Sequence, residues 1–421
     1  MREAALGKCA IDIAIVTGAS LAWNPRALSE AAILSHGGLK VVVCGASPDQ
    51  KARDADEALA RKHGFTFRSV AATQMLPARL RSRAGRELFR WLGIQSRWQL
   101  GYWLPELLTA AEKAAARYHI VHLEQGLWVG MKLLKMGHRV GVDMEDWYSE
   151  DLLPQVRKLK PLHMLRELEH MLLCNAMHAT CPSHAMSAAL TREFGCAAPM
   201  VIRNTGRWRE RNEIDQLVKD RRDLRRASIH WFSQTLGLGR GLEDLVAALP
   251  LIEHDVEIHL RGNPVRGFEQ WVRERIPEQW EERVFFHPLV PNDELLSRIA
   301  EHDIGFAGEM KYSRSRDLTV TNKILQYLLA GLAVVASDTA GQTEVAAQAP
   351  HAVSLYPSGE AGGLAACLNA LLGSPDKLRA AKAAALQAAE RVFCWERQED
   401  ALLQAVDRAL DAADRTGAKR A

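Results

Sequence analysis

No stretch of this chain approaches the roughly eighteen uninterrupted apolar residues that a membrane-crossing helix needs, and the amino terminus lacks the basic, apolar and small-residue succession of a secretory signal. Membrane spanning, export and a periplasmic binding protein are therefore not expected. The seven cysteines, Cys9, Cys44, Cys174, Cys181, Cys196, Cys367 and Cys394, are odd in number and contain no CxxC spacing. That pattern excludes a disulfide frame and a zinc site, and reads as reduced core thiols in a cytoplasmic protein. An excess of charge is missing too. Lysine and arginine exceed the acids by only three, so the chain as a whole gives no argument for a nucleic-acid partner.

What is present is ordinary globular material, 421 residues of which 25% are charged and 48% hydrophobic. That length exceeds one ordinary core and predicts two domains of roughly 200 residues each. Short apolar strand runs alternate with helical three-and-four periodicity from end to end, which is the pattern of an α/β fold with doubly wound parallel sheets. Near the start, a run from Ile11 to Thr17 meets a small-residue turn, Gly18, Ala19 and Ser20, and then Asn24 and Pro25 at a helix start. Such a turn lets a ligand approach the backbone; it is equally a tight turn and nothing more. Strands are expected at 119–123 and 139–142, bringing His122, Glu124, Asp143, Glu145 and Asp146 to one rim. For the acids at 143–146 three readings stand: a metal-binding motif, a solvated helix start, or residues lining a cleft. Between 79 and 98, Arg79, Arg81, Arg83, Arg86, Arg90 and Arg97 interleave with Leu80, Leu88, Phe89, Trp91, Leu92 and Trp98. This stretch reads either as a helix lying on an anionic membrane or as a solvated helix packing its apolar stripe on the domain.

The densest signal lies from Asp317 to Glu344. A polar loop with Asp317, Thr319, Thr321 and Asn322 leads to a helix with Ile324, Leu325, Leu328 and Leu329 on one stripe, then Gly331, then the buried strand run 333–336, then a loop with Asp338 and Gly341. Thr321, Asn322 and Lys323 at a helix start are placed to hold a phosphate. Upstream, SQTLGLGRGLEDL follows a strand run at 229–232 with a glycine-bearing loop that opens a helix, a weak match to a phosphate loop when taken alone.

In order and spacing these segments resemble the retaining GT-B glycosyltransferases of glycosyltransferase family 4. The resemblance implies two Rossmann-like domains facing across a cleft: residues 1–206 for the acceptor, 207–227 as a connection with an exposed helix, 228–392 for a nucleotide-sugar donor, and 393–421 as a helix crossing back to the first domain. It implies a donor site of Ser233, Gln234, Arg240, Arg261, His287, Glu309, Thr321, Asn322, Lys323 and Gln326, with Arg240 on the diphosphate and the segment around His287 and 291–295 at the nucleobase. Gly18, Ser20, Asn24, Asp143 and Asn204 would line the acceptor side, and Glu145, Asp146 and Asp317 would orient the reacting groups. The family's usual pair of glutamates falls here on Leu318 and Gln326, and an additional basic residue falls on Gln234. The implied reaction moves a hexose from a nucleoside diphosphate sugar to a hydroxyl of a saccharide or lipid-linked acceptor, with retention and with neither metal nor cofactor, at the cytoplasm or the inner face of the membrane. A catalytically silent sugar-nucleotide sensor or scaffold, and a nucleotide-sugar epimerase, are the alternatives.

Overall fold

The computed structural model describes residues 11–71, 76–152, 157–158 and 160–418. They form two compact units, one made of those up to 182, those in 186–202 and those from 399 on, the other of 183–185 and 203–398. Among the described residues no helix is long and apolar enough to cross a membrane.

The first unit is built on seven strands: β1 (Ile13–Thr17), β2 (Val41–Ser47), β3 (Thr66–Ala71), β4 (Tyr118–His122), β5 (Val140–Asp143), β6 (Ala179–Cys181) and β7 (Met200–Val201). Their order is β3-β2-β1-β4-β5-β6-β7, and every pairing is parallel. β1, β2, β4 and β5 are buried at every position, which explains apolar runs without alternation: a central parallel strand is covered on both faces. The helix Pro25–His36 starts where sequence predicts, with Pro25 in its first turn and the Asn24 side chain accepting from Ala27 N at 3.0 Å. The terminal helix Glu399–Ala418 belongs to this unit. Its Leu403 lies so close to Gly37 that a Cβ there would come within 2.7 Å of Leu403 Cδ2.

The second unit carries β8 (Ala227–Leu236), β9 (Val256–Pro264), β10 (Val284–His287), β11 (Ile304–Ala307), β12 (Ala333–Ser337) and β13 (Val353–Tyr356) in the order β10-β9-β8-β11-β12-β13, all parallel. Two cores cover its two faces. Ile229, Trp231, Phe306 and Val335 belong to one, with the helices Leu242–Ala248 and Ala361–Leu372. Val334, Ala336 and Val353 belong to the other, with Asn322–Ala330. In that helix Ile324, Leu325, Leu328 and Leu329 are buried as their spacing predicts, and Gly331 ends it at φ +83°, a left-handed conformation that glycine adopts at least cost. In each sheet the chain reverses its winding at one point, between β1 and β4 and between β8 and β11. Parallel α/β sheets bind ligands at the carboxyl ends of the strands beside such a point.

β7 stops at Val201, so Arg203 and Asn204 lie beyond it and belong to the second unit. One expectation about elements is corrected. The segment expected as a connection with an exposed helix is, after a short turn at Trp208–Glu213, an irregular strap on the second unit. Glu301 Oε2 accepts from Lys219 N and Asp220 N at 2.8 Å each, and Glu257 accepts from Arg222 N and Asp223 N at 3.2 and 3.0 Å. Backbone donors that would otherwise need helical partners thus bind buried carboxylates.

Candidate functional site

At the β8–β11 junction three backbone segments converge. The loop after β8 turns through Gly239 and Gly241, at φ +76° and +78°. At Gly241 a Cβ would also sit 2.6 Å from the Gly308 carbonyl carbon, so the glycine is required twice, by conformation and by contact. That contact sets the Arg240 loop against the end of β11, where Glu309 follows. The Arg240 guanidinium is half-buried and donates from Nη1 to Ser233 Oγ at 2.9 Å, leaving its other donors for a ligand's oxygens. Gln234 is exposed beside it.

Lys323 is less available than its sequence position suggests. Its Nζ lies 2.6 Å from Glu309 Oε1, with both side chains largely buried. Glu309 is fixed in turn: its N–H donates to Ser337 Oγ at 2.8 Å and its carbonyl accepts from Ser358 Oγ at 2.9 Å. Thr321 caps the helix Asn322–Ala330 in extended conformation without a side-chain cap bond, and its buried Oγ1 has no hydrogen-bond partner among the described residues. Asn322 is exposed at the first helical position. The arrangement therefore offers one guanidinium, a lysine shared with a carboxylate, an unpartnered hydroxyl and the N–H groups of a helix start, which are the components of an anion site.

Other residues assigned to the donor have partners in the protein itself. Arg261 is buried, bonds Asp220 and donates to Pro288 O at 2.5 Å. His287 Nδ1 lies 3.4 Å from Asp220, and its Nε2 is 3.0 Å from His259 Nδ1. These two side chains hold the strap at Asp220 to the sheet instead of reaching into open space. Gln326 lies beside Gly206 on the 203–210 segment. Asp317 sits in the short helix Arg314–Leu318, and its Oδ1 accepts from Ala340 N at 3.1 Å at the start of the helix Ala340–Gln348. Gly341, expected in a loop, is inside that helix.

The first unit gathers its polar residues into a closed network at the ends of β1, β4 and β5. Arg26 forks onto Asp143, with Nη2 at 2.8 Å from Oδ1 and Nε on Oδ2. His122 Nε2 is 2.7 Å from Glu30 Oε2, and Nδ1 is 2.9 Å from Glu145 Oε1. Asn24 Nδ2 donates to Glu145 Oε1 at 2.8 Å and to Thr17 Oγ1 at 3.1 Å. Burial on its own would lower the His122 imidazolium; the bonds to Glu145 and Glu30 and the charges of Glu30 and Asp143 outweigh it and push it up to about 10. Asp143 is held below the usual carboxylate range, because Arg26 and His122 overcome the cost of its burial.

Glu30, His122 and Asp143 each offer a ligand atom within 4.8 Å of the others, a spacing a metal ion would accept. In this structure the two carboxylates bond Arg26 and His122. Gly18 and Ser20 also face inward: Gln125 fills the space above Gly18, and Ser20 Oγ donates to Asp56 Oδ1 at 2.7 Å. Of this group Glu145 and Asp146 stay half-buried, on a loop braced where Glu169 accepts from Ser149 N at 2.9 Å and Ser149 Oγ at 2.6 Å. The sequence reading missed Arg26 and Glu30. Their helical position one turn after a strand-end loop, opposite Asp143, was the available signal.

Among curated proteins nothing matches the chain. Residues 228–374 match the family described as Glycosyl transferases group 1. The group 1 match spans the Arg240 loop, the Glu309–Lys323 pair and the Thr321 helix start together. Among solved structures, Anabaena Alr3699/HepE in complex with UDP and glucose superposes with a TM-score of 0.67 at 16% identity, covering 96% of this chain and 100% of that one. Sucrose-phosphate synthase from Thermosynechococcus elongatus gives 0.71 at 15% identity over 96% and 100%. A Listeria monocytogenes protein assigned as a UDP-N-acetylglucosamine 2-epimerase gives 0.59 at 12% over 96% and 98%. At these identities the likeness is one of fold. The chain has the α/β architecture of GT-B glycosyltransferases, two Rossmann-like units each with its own parallel sheet.

Proposed function

We propose that this protein transfers a hexose from a nucleoside diphosphate sugar to an acceptor hydroxyl with retention of anomeric configuration, in the synthesis of a cell-surface polysaccharide or glycolipid. The observation that carries the reading is the coincidence of the group 1 match with the anion-binding geometry around Arg240 and Thr321. The bond from C1 to the diphosphate breaks and the acceptor oxygen bonds C1 on the same face. The acceptor's proton passes to a phosphate oxygen of the leaving diphosphate, so no side-chain base is required. Arg240, the loop amides and the helix start at Asn322 stabilise the charge that develops on that leaving group. Lys323 contributes less, because Glu309 shares it. Glu145 and Asp146 orient the acceptor and Asp317 the sugar; the acceptor is a saccharide or a lipid-linked saccharide met in the cytoplasm or at the inner membrane face.

Arg240→Ala tests this. With UDP-glucose as the first donor in a panel, donor affinity and turnover should fall together by about tenfold to a hundredfold, the range for losing charged hydrogen bonds worth ~1.5–3 kcal/mol. Unchanged kinetics would remove Arg240 from the site. Two alternatives rest on specific observations. Leu318 and Gln326 stand where the family carries acids, which favours a silent sensor or scaffold, excluded by turnover on any donor and membrane-lipid extract. The fold shared with an epimerase favours reaction without acceptor, visible as a new sugar nucleotide when donor is incubated alone.

A further inference from the structure

The helix Leu76–Leu92 packs on the first unit with the wrong residues inward for a water-facing helix. Its inward line is Ser82, Gly85 and the half-buried Phe89: Ser82 Oγ donates to Trp98 O at 2.7 Å, and a Cβ on Gly85 would come within 2.9 Å of Trp98 Cβ. Small residues therefore hold the helix down. Phe89 apart, the large apolar residues described on this helix point out, with Leu80 64%, Trp91 77% and Leu92 66% exposed, and Leu88 and, just past the helix, Ile94 exposed as well. Leu80, Ala84, Leu88 and Trp91 follow at four, four and three residues and make one outward stripe. Arg79, Arg83, Arg86 and Arg90 follow at four, three and four and make a second stripe beside it. Glu87 is the one acid in the helix, and it accepts from Trp91 Nε1 at 3.2 Å. Of the two readings of this stretch, the one that packs the apolar stripe on the domain does not hold.

We propose that this helix docks the protein on an anionic lipid bilayer, with Leu80, Leu88 and Trp91 entering the interface and the arginine row on phosphate headgroups. An exposed apolar stripe flanked by cations is the composition of helices that lie in the headgroup region. Arginines alone would suit a nucleic acid equally, but such a partner gives no reason for outward leucine and tryptophan on the same helix. The placement also joins the docking helix to the polar network. The chain leaves β3 at the carboxyl edge of the first sheet to enter this helix, then returns through the turn Arg97–Gln99. There Leu100 O accepts from Gln125 Nε2 at 3.0 Å, and Gln125 is the residue that fills the space above Gly18. If the transferase reading holds, an acceptor carried in the bilayer arrives at the edge of the sheet that bears Glu145.

The full chain should float with vesicles of phosphatidylcholine containing phosphatidylglycerol and stay in solution with phosphatidylcholine alone. Two double variants at exposed positions, L80S/W91S and R83E/R90E, should each weaken this by roughly tenfold or more. Quenching of tryptophan by brominated acyl chains should drop in Trp91→Phe, which reports entry of that ring. Equal flotation of wild type and L80S/W91S would overturn the proposal, as would no binding to the anionic vesicles. Tighter binding to single-stranded DNA than to vesicles would assign the arginines to nucleic acid instead. None of these readouts depends on sugar transfer, so their failure leaves the donor reading standing, and failure of Arg240→Ala leaves the docking helix standing.

Discussion

The two sheets present the same topological feature, a winding reversal at the carboxyl ends of the strands, and fill it in opposite ways. At β1–β4 the junction is closed: two cations, Arg26 and His122, lie among three carboxylates, Glu30, Asp143 and Glu145, with almost every bond made inside the protein. At β8–β11 glycines let the loops meet closely, and among the described residues Thr321 Oγ1 has no partner and the Arg240 guanidinium bonds Ser233 alone. The contrast shows that position in a fold nominates a site, while the local accounting of donors and acceptors decides whether anything is left for a ligand. A closed network gives a fixed rim; an open one gives affinity.

The sharpest way to break the comparison is to open the closed side. Arg26→Met leaves the buried Asp143 with His122, 3.4 Å away, as its remaining cation, and should cost up to the ~3–5 kcal/mol of a broken buried pair. Urea unfolding followed by hydrogen exchange in β1, β4 and β5 should register the loss there and spare β8 to β13. R26M/D143L should recover most of it, since removing both partners is far cheaper than removing one. Equal stability of Arg26→Met and wild type would mean that the network contributes nothing to the fold.

Histidine separates the two units by sign. His122 is held charged, with its imidazolium pushed up to about 10, so its contribution is complete below its ordinary value near 6.5 and is lost as pH rises through about 10. In the second unit burial pushes His287 down to about 4 and His259 down to about 2, with Arg261 near the first and Arg221 near the second adding to the effect and Asp220 opposing it. These rings are stacked and neutral: His259 and His287 centroids lie 5.2 Å apart, and His230 and His302 centroids 4.6 Å apart. Their contribution is present above about 6.5 and is lost as pH falls through about 4. Hydrogen exchange, corrected for intrinsic rate, should therefore accelerate in β4 and β5 toward alkaline pH and in β9 and β10 toward acid. Parallel behaviour of the two sheets would contradict the opposite charge states.

Much of this was legible in the chain itself, for identifiable reasons. Buried parallel strands write themselves as apolar runs, and Asn24-Pro25 and Gly331 mark helix ends by chemistry that survives any tertiary context, so the α/β class and the Asn322–Ala330 helix followed directly. What was not legible was the destination of side chains at strand ends. Arg261 and His287 occupy positions where a nucleotide could be met, but Asp220, dozens of residues earlier in a strap that has no periodicity, takes them first. Likewise Lys323 meets Glu309 from fourteen residues away across two elements, a pairing that no local spacing announces. On the helix Leu76–Leu92 the apolar period was legible and its facing stood between two readings, because periodicity gives a stripe without saying which stripe is inward.

The smallest expected effect sharpens the open side. Glu309 holds Lys323 at 2.6 Å, so a bound diphosphate must compete with a carboxylate for that ammonium. Glu309→Gln keeps the shape and an acceptor oxygen while removing the competing charge. If Lys323 and Arg240 serve one anion, affinity for UDP, measured by calorimetry, should rise by about threefold to tenfold, the effect of ~1 kcal/mol of charge attraction released at a partly buried site. The gain should disappear in E309Q/K323M, because the ammonium is then absent whatever holds it. A gain that persists in that double variant would place the effect on another group. A loss in Glu309→Gln alone would mean that the carboxylate positions Lys323 for the ligand instead of withholding it, and would make the pair a positioning device on an otherwise open rim.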